Sequence, residues 1–63
     1  MYRLYVVERG EKMWLMDWIV AENIDHPQFT SKRDLAMTFE RFDACLRYHR
    51  KLKTLGYEEV HAN

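Results

Sequence analysis

Residues 13–20 read MWLMDWIV, seven apolar side chains out of eight, two of them tryptophan. A strand buried on one face alternates apolar and polar residues. This segment does so only at Asp17. Read as a strand, it is apolar on both faces, and a chain of 63 residues has little material with which to cover two faces. What lies against the second face constrains both how such a chain folds and what it does.

The length sets one domain near the lower limit of independent folding. Chains this short commonly rely on a disulfide, a metal or a partner subunit. Cys45 is the one cysteine, so an internal disulfide is excluded, and a reducing, cytoplasmic setting is expected. The nine aromatic residues offer instead a large buried area per side chain. No stretch is long and apolar enough to span a membrane. No basic segment precedes an apolar core, so no signal peptide is expected. Met1 leads almost directly into a strand-like run, as a complete small open reading frame would.

Residues 2–20 read as a β-hairpin: Tyr5, Val6 and Val7 favour a strand, RGEK supplies the turn through Gly10, and MWLMDWIV is the second strand. AENIDHPQF (21–29) reads as a loop, with His26 held extended by Pro27. TSKRDLA (30–36) suggests one short helical turn capped by Thr30 or Ser31, and MTFE (37–40) a short third strand. In RFDACLRYHRKLKTLG (41–56), helical spacing puts Phe42, Cys45, Leu46, His49 and Leu52 on one side, flanked by Tyr48 and Leu55. Asp43, Arg47, Arg50 and Thr54 fall opposite; Asp43 and Arg47 are spaced for an i,i+4 pair. Gly56 ends the helix, YEEV (57–60) returns as a last strand, and HAN is expected to fray.

The sum is an α+β domain: a small, mainly antiparallel sheet (hairpin, short third strand, C-terminal strand) with one long helix on one face. A helix is roughly 10 Å across and covers one face of such a sheet. The other face is left for residues 21–36, a second copy of the chain, or a binding partner.

The candidate binding residues follow from this. Trp14 and Trp18 are four apart, on one face of an unbroken strand. They form either an exposed platform, for bases or a protein partner, or core under the helix. If they are core, Leu15 and Ile19 around Asp17 become the exposed patch. Asp17 itself either faces solvent, opposes edge pairing, or bonds a partner. Arg47, Arg50 and Lys51 make a basic helix face, suited to phosphates or an acidic protein, or a solvated surface. Residues 30–56 hold seven Lys and Arg against three Asp and Glu, and the rest of the chain balances them to zero net charge. Neutrality argues against avid nucleic-acid binding. Cys45 and His49 share a helix face, but a zinc site normally takes four ligands; a small core thiol and a packed histidine are expected. With no glycine-rich phosphate loop, nucleophile elbow or paired carboxylates, no enzyme activity, metal or cofactor is expected.

An aromatic hairpin, then Phe29–Thr30 and Ala36, a Phe39-x-x-Phe42 turn into a helix, and Gly56–Tyr57 into a final strand together resemble small phage- or prophage-encoded β-β-α-β accessory proteins. The resemblance implies a non-enzymatic interaction protein, from a phage or mobile element, that binds and modulates or inhibits a larger host protein. The alternative is a single-stranded nucleic-acid or RNA-binding module using the aromatic sheet face and the basic helix. A homodimer through the second sheet face is compatible with either.

Overall fold

The computed structural model describes all 63 residues. Two successive hairpins and a returning strand build its sheet. Strands β1 (Leu4–Glu8), β2 (Glu11–Ala21), β3 (Ile24–Thr30) and β4 (Val60–Ala62) lie in the order β3-β2-β1-β4. Every pairing is antiparallel. Between β3 and β4 come a single 3-10 turn at Arg33–Leu35 and the helix α1 (Phe42–Thr54). This is the expected small α+β architecture, with the helix packed on the sheet.

Both hairpins close through two residues at positive φ: Arg9 and Gly10 (53° and 79°), and Glu22 and Asn23 (53° and 62°). Turns of this hand match the right-handed twist of the flanking strands. The second hairpin departs from expectation. Residues 24–30, expected in a loop, form the third strand, while Met37–Phe39 make only an isolated bridge, Phe39 with Tyr2. Pro27 is compatible with β3 because the strand is at a sheet edge. It pairs with Trp18 three residues from the turn pair Ala21–Ile24, where the ladder's alternation points the missing N–H outward. The edge is thereby blunted against pairing with another chain.

The tail also differs from expectation. The last strand begins at Val60 rather than Tyr57 and runs into the tail instead of leaving it frayed: His61 lies opposite Tyr5, and beyond the strand Arg3 and Asn63 exchange both backbone hydrogen bonds at 2.8 Å. Those pairs turn the backbone groups of Val60 away from β1. His49 reaches from the helix so that its Nε2 donates to the outward Val60 carbonyl at 3.0 Å; a carbonyl only accepts, which sets the tautomer.

The largest consequence for the site is a β-bulge. The register between β2 and β3 slips between Leu15 and Asp17, leaving Met16 without an opposite residue. One extra residue sends every later side chain to the other face. Trp14 and Trp18 therefore lie on opposite faces, not on one as an unbroken strand would place them. The bulge also turns β2 away from β1, whose pairing with it stops at Tyr5–Trp14. Met37–Phe39 occupy the gap: Met37 N–H donates to the Leu15 carbonyl, and Tyr2 and Phe39 exchange two bonds.

The core is a single cluster of Leu4, Val6, Leu15, Phe39, Cys45, Leu52 and Val60. Cys45 and Leu52 are the fully enclosed residues of α1, with Ala44, Leu46, Tyr48 and His49 half-buried beside them. Phe42 and Leu55, expected on the buried side, are exposed at the two helix ends. Asp43 does not pair with Arg47; its carboxylate takes two bonds from Arg41 instead, at 3.0 and 3.1 Å. At the C-terminus, Gly56 N–H bonds Lys53 and Tyr57 N–H bonds Leu52, a Schellman closure that needs the positive φ of Gly56 (105°).

Candidate functional site

The structure answers what covers Trp14. Its ring is 5% exposed on the face away from the helix, tilted against Tyr5, which in turn stacks on His61. Arg33, from the 3-10 turn, sits 5.5 Å from the ring centre. The chain between β3 and the helix thus roofs the second face at this point, the first of the three covers considered. Trp14 is packed and offers no platform.

Trp18 lies on the helix face. It meets Tyr48 edge-on at 5.3 Å and donates from Nε1 to Asp25 Oδ1 at 3.0 Å. Lys51 rests over both rings, 5.7 Å from Trp18 and 5.0 Å from Tyr48. All three of the basic trio are exposed and make no ion pair; Lys51 alone of them lies over aromatic rings. Asp17 is exposed at the bulge, where its carboxylate accepts the Trp18 N–H at 2.8 Å. The six candidate residues are dispersed over three surfaces.

What the bulge exposes is more informative. Beyond Met16, β2 pairs only with β3, so residues 16–29 form a two-stranded arm. Its inner face carries Trp18, Val20, Asp25 and Pro27. Its outer face carries Asp17, Ile19, Ala21, Ile24, His26 and Gln28, by register, and all six are exposed. Ile19 is 46% and Ile24 56% exposed, with Val20 at 62% on the arm's margin. Of the pair expected as an alternative patch, Ile19 is open while Leu15 is fully buried. The arm was hidden in the sequence because its turn, Glu22–Asn23, carries no glycine.

A cleft of about 520 Å³ opens between the arm's inner face and the loop after the helix. Leu55 and Tyr57 line it, and Glu8, Asp25, Glu58 and Glu59 surround them with carboxylates. Burial, and secondarily the nearby Glu8, push the Tyr57 phenol above its ordinary pKa, so it stays neutral at physiological pH. No group of three or more His, Cys, Asp or Glu side chains is arranged to hold a metal ion. No helix is long and apolar enough to cross a membrane. No protein-family model, curated protein or solved structure matches the chain.

Proposed function

We propose that this is a non-enzymatic interaction module, an accessory protein of the phage or mobile-element kind, that binds and modulates a larger protein through the β2–β3 arm. The observation that carries this reading is the outer face of the arm. A chain with only eight buried residues leaves Ile19 and Ile24 open on a projecting ribbon, while its two tryptophans are spent on packing. Clustered exposed aliphatics mark contact surfaces. The separation of charge supports the same reading. One ion pair, Arg41–Asp43, uses two of the twenty formal charges, so most remain available to steer a partner. The nucleic-acid alternative is weakened, since single-strand binders need aromatic faces beside cations. Here Trp14 is roofed, Trp18 packs on Tyr48, and neither Arg47 nor Arg50 lies over an aromatic ring.

The test is affinity capture from bacterial lysate, with and without nuclease, comparing the wild type with Ile19→Asp/Ile24→Asp. A stoichiometric protein that survives nuclease and is lost from the variant supports the proposal. Enrichment that vanishes with nuclease, or that the variant retains in full, overturns it.

A further inference from the structure

The arm's charge goes further than its hydrophobicity. Residues 16–29 contain Asp17, Glu22 and Asp25 and neither lysine nor arginine. Asp17 and Glu22 are exposed, one at the bulge and one at the tip, and bracket the outer face, where Ile19, Ala21 and Ile24 lie beside the polar His26 and Gln28. We infer that the arm's partner is a protein surface with an apolar groove bordered by lysine and arginine, which takes Ile19 and Ile24 while its cations meet Asp17 and Glu22. This rests on the arm being the binding surface and adds the chemistry of what it binds.

The other occupants fit less well. A twofold dimer through this face would bring the same carboxylates of both copies together, and like charges at an interface are repelled. The chain's own basic surface, Arg47 and Arg50 on α1, offers no aliphatic groove, because the exposed apolar residues of that helix, Phe42 and Leu55, stand at its opposite ends. An anionic membrane and a nucleic acid both repel a ribbon with acidic borders and no cation. An apolar groove with a basic rim complements the arm in both respects.

The experiment pans the full-length protein against an unbiased display library of linear peptides, then measures affinity for the enriched sequences. Enriched peptides should combine aliphatic residues with Lys or Arg. Ile24→Asp should weaken them by at least about tenfold. Asp17→Asn/Glu22→Gln, which keeps shape and removes two charges, should weaken them roughly two- to fivefold and flatten the salt dependence. The exposure of these side chains makes folding of both variants the expectation, checked by circular dichroism. Peptides that are acidic or uncharged, or indifferent to both variants, overturn the inference. So does an empty selection, a concentration-independent dimer that Ile24→Asp dissociates, or binding to phosphatidylglycerol vesicles. Peptides released only by Arg47→Glu/Arg50→Glu would leave an interaction module standing but move its site to the helix.

Discussion

Single side chains show how the two tryptophans divide their work. Trp14 fills the second face beneath Arg33, outside the main core cluster. Truncating a buried tryptophan costs about 3–5 kcal/mol, so Trp14→Ala should lose most of its stability in a urea melt. Trp18→Phe keeps the contact with Tyr48 and loses the bond to Asp25, a cost of about 1 kcal/mol. The same geometry predicts that acrylamide quenches the fluorescence of Trp18 more than that of Trp14. Cys45 is fully enclosed, and desolvation raises its thiol pKa. Below the ordinary thiol value of 9.0 the group is neutral folded and unfolded, and its contribution to stability is intact. As pH rises past that value the unfolded chain ionises first, so stability falls until the folded pKa is passed. Iodoacetamide should accordingly label Cys45 only at the rate of unfolding; fast labelling of the native protein would contradict the enclosed position.

The elements are governed by one inserted residue. Deleting Met16 would make Leu15–Phe29 and Asp17–Gln28 consecutive pairs of a regular ladder, leaving Trp18 on the helix face and Ile19 outside. The deletion should therefore lower stability by straightening β2 and closing the gap that Met37–Phe39 fill, yet keep the Trp18–Tyr48 contact, visible as a retained near-ultraviolet circular dichroism signal; loss of that signal would contradict the bulge. The turn of the arm predicts the opposite sign. Glu22 and Asn23 both hold positive φ, a conformation that Asn-Gly fits better. Glu22→Asn/Asn23→Gly should raise stability by about 1 kcal/mol through relief of the left-handed backbone, while removing one of the arm's two exposed border charges. These same features set what the sequence disclosed. The helix was legible from its periodicity and Gly56, and the first hairpin from Gly10 between β-rich runs. The second hairpin was not, because its turn lacks glycine and β3 carries Pro27 and polar residues tolerated only at an edge. The bulge left no mark, since Met16 looks like any apolar strand residue. The error over Trp14 and Trp18 follows from the bulge alone, and the arm could not be recognised without it. Of residues 21–36, expected as a loop covering the second face, only the 3-10 turn does so, through Arg33 over Trp14, while 24–30 join the sheet itself; the tryptophans form no common platform.

At the scale of the whole molecule, stability is small enough for one side chain to decide it. Domains are stable by roughly 0.05–0.15 kcal/mol per residue, which for a chain of this length comes to about 3–9 kcal/mol. The core draws on every part of the chain: Leu4 and Val6 from β1, Leu15 from β2, Phe39 from the crossing segment, Cys45 and Leu52 from α1, and Val60 from β4. With no disulfide to restrain the unfolded chain, no part of this cluster has an independent reserve. Leu52 is wholly buried near the C-terminal end of α1, and its carbonyl also accepts the Tyr57 N–H that turns the chain toward β4. Leu52→Ala removes the side chain and leaves a cavity, at about 2–5 kcal/mol. Set against the total, that should bring the variant close to its unfolding midpoint at room temperature. The measurement is a pair of urea titrations followed by far-ultraviolet circular dichroism. The wild type should show one cooperative transition with helix and sheet signals coincident, and Leu52→Ala should enter its transition at the lowest urea concentrations. A variant that loses less than about 1 kcal/mol, or a helix signal that melts separately from the sheet, would show that α1 is not integral to one cooperative core. The arm would then be held against a movable helix, through Trp18 and Tyr48, rather than projected from a rigid one.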